Sequence, residues 1–145
     1  MNSRRHFHDL FENELCLIGA ASDAALGREV QWLLHALEHT PNLALRDVAF
    51  TLAHTARGMP AVLAIVATNV PDLCERLRLA QTKLATDAVR IRDKAGMFYF
   101  RQRLRPEHGV VFLFPGETSL YPEMLRDLCL SFDLCREAFD EADAV

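Results

Sequence analysis

The sequence predicts a small mixed domain of the α/β or α+β class, in which helices pack against a three-stranded sheet. Short apolar runs bounded by turn residues alternate along the chain with longer segments whose apolar residues recur every three or four positions. The 145 residues, half of them hydrophobic and a quarter charged, are enough for one domain with a real core. One extra strand and a terminal helical segment are predicted to follow this domain.

The first strand and the first helix come after residues 1–13, a polar stretch without periodicity that is predicted to be a flexible arm. The apolar run from Leu15 to Ala20 is typical of a buried strand. Ser22 offers a helix N-cap, and Asp23 places negative charge in the first turn, where the helix dipole favours it. The helix is predicted to end near His39. Its apolar face consists of Leu26, Val30, Leu33, Leu34 and Leu37.

The middle of the chain predicts a helix, a strand and another helix. The helix that contains Leu45 and Leu52 is closed by the turn residues from Gly58 to Pro60. The run from Ala61 to Ala67 is apolar throughout, which is typical of a central strand with both faces buried. Asn69 can cap the next helix. The buried face of that helix is predicted to contain Leu73, Leu77, Ala80 and Leu84.

Two further apolar runs predict strands near the end of the chain. They are Gly96 to Phe100 and Val110 to Phe114, and a polar connection from Arg101 to His108 joins them. The second run is apolar on both faces, as strands buried between two helical layers are. Two helical segments follow. The first contains Met124, Leu125, Leu128, Cys129 and Phe132, and the second contains Ala138 and Phe139.

Composition excludes several classes of function. The net charge of −4, with both signs interspersed, leaves no broad basic face for a nucleic-acid backbone, so no nucleic-acid partner is expected. Acidic residues interrupt any N-terminal leader sequence, and the longest apolar run, from Pro60 to Ala67, is too short to span a membrane. The four cysteines form no CxxC pair and are predicted to be reduced. A soluble, cytoplasmic protein is expected.

Three features that resemble catalytic or metal sites have simpler interpretations. Ser119 is not in a GxSxG turn, so a capping role is favoured over a nucleophile. His35 and His39 have the spacing of two metal ligands but lack a third, so solvated histidines are favoured. Cys129 and Cys135 are six positions apart and favour packing. Neither a metal nor a cofactor is expected.

Several segments carry a resemblance to one family. The segment VVFLFPGETSLYPEM, residues 110–124, resembles the opening of the malonyl/acyltransferase domain of fatty-acid and polyketide synthases, usually FPGQGSQ before a helix. LRDVAFTLA (45–53) and AVLAIVA (61–67) are similar to LxDLAYTLA and RLAVVA in the linker between ketosynthase and acyltransferase domains. RIRDKAGMFYF (90–100) and YPEMLRDLCL (121–130) resemble RIRDRSGIYYF and YPNMLADLCLHF of iterative synthases of the polyunsaturated-fatty-acid and heterocyst-glycolipid types.

The resemblance implies a division of the chain and one backbone role. Residues 14–105 would be the linker-like domain, a three-stranded sheet covered on one side by helices, and residues 109–145 the truncated start of an acyltransferase. Glu117 stands where the family uses a backbone N–H in its oxyanion hole. Thr118 and Leu120 replace a glycine and a glutamine of the family, so the turn departs from a working oxyanion hole.

The resemblance therefore implies a non-catalytic scaffold in a polyketide or fatty-acid-like synthase. The GHSxGE elbow, its histidine and the ketosynthase nucleophile do not occur in the sequence, so the chain is not expected to be active by itself. The implied partners are the ketosynthase and the rest of the acyltransferase. The last 35 residues, with their uncovered strand, are expected either to fold back on the linker sheet or to pair or swap in a homodimer. The alternative is a stand-alone interaction protein that binds a carrier protein or a synthase subunit in trans.

A basic cluster is the candidate contact surface for an acyl carrier protein. It consists of Arg90, Arg92, Lys94, Arg101, Arg103 and Arg105. A solvated edge is the simpler interpretation of these six residues, whereas contact with the acidic surface of a carrier protein is the functional one.

Overall fold

A computed structural model of the chain describes residues 12–40, 42–86, 88–94, 96–101, 109, 111–114 and 116–144. The chain divides into two compact units, Met1–Leu104 and Arg105–Val145. The predicted arm lies almost wholly outside the described residues, as do Arg103, Arg105 and Val110.

The first unit is a four-stranded antiparallel sheet with three helices. Along the chain the elements are β1 (Glu14–Ala20), α1 (Asp23–His39), α2 (Leu45–Ala56), β2 (Ala61–Ala67), α3 (Val70–Ala85), β3 (Arg90–Asp93) and β4 (Met97–Phe100). The strand order is β1-β2-β4-β3, and each neighbouring pair is antiparallel. This architecture confirms the α+β class. The prediction of three strands in this sheet is wrong, because β3 adds a fourth.

β3 was missed because its sequence carries little apolar signal. Of its four residues only Ile91 is buried, and Arg90 and Arg92 on either side of it are exposed. An edge strand of an antiparallel sheet needs to bury only one face, so a single apolar residue is sufficient here. β3 pairs with β4 through a tight turn, in which the Gly96 N–H donates to the Asp93 carbonyl at 3.0 Å.

The predicted helix starts are confirmed by their capping bonds. The Ser22 hydroxyl accepts from the Ala25 N–H at 3.2 Å, and the Asn69 amide oxygen accepts from the Asp72 N–H at 2.8 Å. Each bond satisfies a backbone donor that the first turn of a helix leaves free. α2 begins without a side-chain cap, and it packs mainly along β1.

The core lies between one face of the sheet and helices α1 and α3. It contains the alternate residues of the strands, among them Cys16, Ile18, Leu63, Ile65 and Tyr99, together with the apolar faces of the helices. The opposite face is also apolar but is only partly covered, because α2 packs on it at the β1 edge, beside Gly19. We call it the open face. It consists of Leu15, Leu17, Val62, Ala64, Val66, Phe98 and Phe100.

The second unit contains a 3₁₀ turn, Glu117–Ser119, and two helices, α4 (Arg126–Ser131) and α5 (Asp133–Asp143). The terminal helices are confirmed, although Met124 and Leu125 precede α4 and Phe132 follows it. The predicted last strand is wrong over residues 111–114, which belong to no strand in the described part of the chain and are 76–91% exposed. Apolar sequence alone does not form a strand, because its backbone groups also need a partner strand.

Candidate functional surface

The structure divides the predicted basic cluster between the two faces of the sheet. Arg90 and Arg92 alternate with buried Ile91, so both lie on the open face. Arg101 follows β4 on the side of Tyr99, which is the helical side. Lys94 is exposed in the turn after β3. The predicted cluster therefore does not form one surface among its described members.

Each arginine of β3 lies directly opposite a phenylalanine of β4. The register pairs Arg90 with Phe100 and Arg92 with Phe98. The guanidinium carbon of Arg90 is 5.7 Å from the centroid of the Phe100 ring, which is within the range of a cation–π contact. Neither arginine forms an ion pair with any residue in the described ranges. We call these two residues the arginine rim of the open face.

A continuous row crosses the open face from β1 to the rim. The register of the four strands aligns Leu17 with Ala64, Ala64 with Phe98, and Phe98 with Arg92. Ala64 is the smallest side chain of the row and lies between two large ones. The surface along this row is therefore depressed at Ala64. Phe98 and the positively charged Arg92 border the depression on one side.

Arg101 is part of a separate polar group on the helical side. Its Nε lies 3.8 Å from Oδ2 of Asp23, and both side chains lie next to Tyr99. Burial raises the pKa of the Tyr99 phenol, and the neighbouring Asp23 carboxylate raises it further. This group borders a cleft of about 600 Å³ whose walls include Ala24, Gly27 and Leu84. Because Arg101 is paired with Asp23, its charge is already balanced.

The backbone around Glu117 forms a single 3₁₀ turn, in which the Ser119 N–H donates to the Gly116 carbonyl at 3.0 Å. Thr118, Ser119 and Leu120 are exposed. The oxyanion-hole role of the Glu117 N–H stays a prediction from the resemblance.

The two predicted histidine and cysteine pairs have local roles. His39 Nδ1 lies 2.8 Å from the carbonyl oxygen of His35, so this nitrogen is engaged with the backbone of its own helix. Cys16 and Cys74 are buried, whereas Cys129 and Cys135 are half-buried in α4 and α5, and all four are free thiols. Burial, followed by the nearby Glu14 carboxylate, raises the pKa of Cys16 to about 11. No group of three metal-ligand residues occurs in the described ranges.

The apolar part of this surface is not evident from any single motif, although the sequence contains two signals for it. β2 is apolar at all seven positions, so both faces of the sheet are apolar where this strand lies. The motifs Arg-Ile-Arg and Phe-Tyr-Phe alternate with the same period, so pairing their strands brings arginines and phenylalanines to one face.

Comparisons with known proteins find similarity to parts of polyketide synthases. Residues 14–77 match the family model described as CurL-like, polyketide synthase C-terminal. The crystal structure of the acyltransferase domain of an iterative polyketide synthase in enediyne biosynthesis is similar to the chain, with 28% identity and a TM-score of 0.57. The similarity covers 62% of this chain and 24% of that one, so the chain spans about a quarter of the solved protein. No curated protein shows significant similarity.

The class is a small α+β module that is similar to part of a solved acyltransferase-domain structure. The chain is similar to parts of polyketide synthases, which confirms the resemblance seen in its motifs. Within the described residues, no helix has the length and apolar character needed to cross a bilayer.

Proposed function

We propose that the chain is a non-catalytic scaffold of a polyketide or fatty-acid-like synthase that holds a ketosynthase and an acyltransferase at a fixed separation. In this proposal residues 14–105 are the linker-like domain, and residues 109–145 are the start of the acyltransferase. The observation that carries the proposal is the match of most of this chain to one quarter of a solved acyltransferase-domain protein.

The polar contacts between elements support a scaffold role. Arg78 of α3 binds Glu38 of α1 at 2.6 Å, and Lys83 of α3 binds Asp93 at the end of β3 at 2.9 Å. Partly exposed ion pairs contribute only about 0.2–1 kcal/mol each. They nevertheless fix the orientation of α3 relative to α1 and the sheet edge, as a spacer between domains requires.

The proposal is tested by measuring whether the chain binds a ketosynthase domain or an acyltransferase domain. Purified chain is immobilised, and separately expressed ketosynthase and acyltransferase domains of an iterative polyketide synthase are passed over it in biolayer interferometry. We expect saturable binding of at least one domain. In parallel, incubation with malonyl-CoA should produce no mass increase in the intact chain. Failure of both domains to bind, or stable acylation of Ser119 or a cysteine, would argue against a scaffold.

The second candidate is an interaction protein that binds a carrier protein or a synthase subunit in trans. The exposed arginine rim favours it, because acidic carrier surfaces are attracted to unpaired cations. Titration with acyl carrier protein in a calorimeter tests this candidate. Binding that is lost in a double Arg90→Glu, Arg92→Glu variant and kept in Arg28→Glu would support it, since Arg28 is an exposed cation on α1.

Residues 111–114 also support association with another chain. Four consecutive exposed apolar residues without a strand partner in the described part of the chain can pair with a strand elsewhere. In this proposal they form a homodimer contact. Analytical ultracentrifugation should then show a dimer that Leu113→Lys dissociates. A monomer at all concentrations would remove the homodimer from the proposal.

A further inference from the structure

The open face has the sequence of a buried surface. An antiparallel sheet with one solvated face normally alternates apolar and polar residues, but β2 is apolar at every position. Leu17, Val62, Ala64 and Val66 are only half-buried in the first unit, and Phe98 and Phe100 are 39% and 44% exposed. Such a face requires a further layer to complete its burial.

The dimensions of the face fit one helix. α2 packs on β1 at Gly19, so the free part of the face runs over β2, β4 and β3. Three strands spaced about 4.8 Å apart span about 10 Å, and a helix with its side chains is about 10 Å wide. The seven residues of β2 extend about 23 Å, which corresponds to about 15 residues of helix. Ala64 lowers the centre of the row between Leu17 and Phe98, so a helix can approach the sheet closely there.

The positive charge of the arginine rim favours a helix with acidic residues beside its apolar stripe. Arg90 and Arg92 are exposed, lie beside Phe100 and Phe98, and have no ion-pair partner in the described ranges. A helix whose apolar stripe covers the phenylalanines brings its flanking residues next to both guanidinium groups. Carboxylates at those positions are attracted, whereas lysines are repelled.

We propose that the open face with its arginine rim is a docking surface for an amphipathic α-helix of a partner, with an apolar stripe flanked by acidic residues. The helix lies beside α2 on the face of the sheet opposite α1 and α3. This inference rests on the proposed function in that it names the surface by which the scaffold holds a neighbour. It specifies a different measurement from domain binding or acyl transfer, so the two can fail separately.

The test uses two synthetic peptides of 18 residues with the same leucine stripe, one flanked by glutamates and one by lysines, both labelled with fluorescein. Fluorescence anisotropy at low salt should give micromolar binding of the glutamate peptide and at least about tenfold weaker binding of the lysine peptide. The double Arg90→Glu, Arg92→Glu variant should reverse this order. Arg28→Glu on α1 is the matched control and should leave the order unchanged.

A second variant tests the apolar part of the surface. Ala64→Glu places a charge in the low centre of the row and should abolish binding of both peptides, while circular dichroism confirms that the fold is kept. Equal binding of the two peptides by the parent chain, or no binding of either, would overturn the proposal. So would self-association by ultracentrifugation that Ala64→Glu disrupts, because the occupant would then be a second copy of the chain.

Discussion

A β-carbon added to Gly19 would lie 2.7 Å from the α-carbon of Ala56 and 3.0 Å from its β-carbon. Gly19 belongs to β1 and Ala56 is the last residue of α2, so the absence of a side chain at position 19 lets α2 pack directly on the strand. The backbone atom cannot move away without shifting the whole helix.

Gly19→Ala should therefore destabilise the chain by about 1–3 kcal/mol, because an overpacked methyl group forces a backbone shift. Gly27 in α1 is the matched control, since nothing lies within 4 Å of a β-carbon added there. Gly27→Ala should stabilise by about 0.5–1 kcal/mol through the higher helix propensity of alanine. Urea unfolding measures both changes. Equal effects of the two substitutions would show that α2 does not pack on β1 as described.

Ile91 provides a test of β3, the strand that sequence patterns did not reveal. It is 3% exposed and is the only buried residue of that strand. Ile91→Ala should cost about 2–5 kcal/mol, as removal of a buried aliphatic side chain does. Val89, two residues earlier and 58% exposed, is the control, and Val89→Ala should change the stability by less than about 0.5 kcal/mol. Similar losses at both positions would contradict the burial of β3.

The pair Asp72–Arg76 makes stability depend on pH. The hydrogen bond from Arg76, at 2.8 Å, lowers the pKa of the Asp72 carboxyl below its ordinary value of 3.8, and a bond from the Thr68 N–H lowers it further. Because the folded-state pKa is lower than the unfolded one, this carboxylate stabilises the fold above pH 3.8. That contribution is lost as the pH falls through the depressed folded-state pKa.

Asp72→Asn should accordingly lower Tm at pH 7, and the difference from the parent chain should shrink as the pH is brought below 3.8. Glu29→Gln, at an exposed position of α1, is the control and should alter Tm little at either pH. Thermal unfolding followed by circular dichroism at both pH values gives the comparison. A Tm difference for Asp72→Asn that is the same at both pH values would exclude the linkage.

The four cysteines should separate into two classes on reaction with Ellman's reagent at pH 8. Cys16 and Cys74 are buried, and burial raises the pKa of both thiols, so neither should react in the native chain. Cys129 and Cys135 are half-buried and should react within minutes. The expected stoichiometry is two thiols before denaturation and four after it. Rapid reaction of all four without denaturant would contradict the described core.

The elements that sequence patterns predicted are those whose signal is local. The caps at Ser22 and Asn69 and the periodic apolar residues of the helices are set by near neighbours in sequence. β3 and residues 111–114 are the opposite cases, a strand with little apolar sequence and an apolar sequence without a strand. Whether either segment forms a strand depends on which partner strand its backbone pairs with, and amino-acid composition does not determine that partner.

The candidate surface was predictable in its charges but not in its geometry. The six cations of the cluster are close in sequence, yet Arg101 lies on the helical side of the sheet while Arg90 and Arg92 lie on the other. Strand alternation decides this separation, and it depends on the register of a strand that had not been recognised. The pairing of each rim arginine with a phenylalanine follows from the same register.

The strand order has a consequence for how the chain folds during synthesis. β2 lies in the interior of the sheet and pairs with β1 on one side and with β4 on the other. Along the chain, α1 and α2 separate β1 from β2, whereas α3 and β3 separate β2 from β4. The β3–β4 hairpin is local and closes in about 1–10 μs, whereas the β1–β2 ladder must first close a loop of 40 residues. While the ribosome is still making residues 68–96, β2 has only one neighbour. A nascent chain stalled in that interval exposes an unpaired apolar strand edge, which makes this stage the one at which chaperones have most to bind.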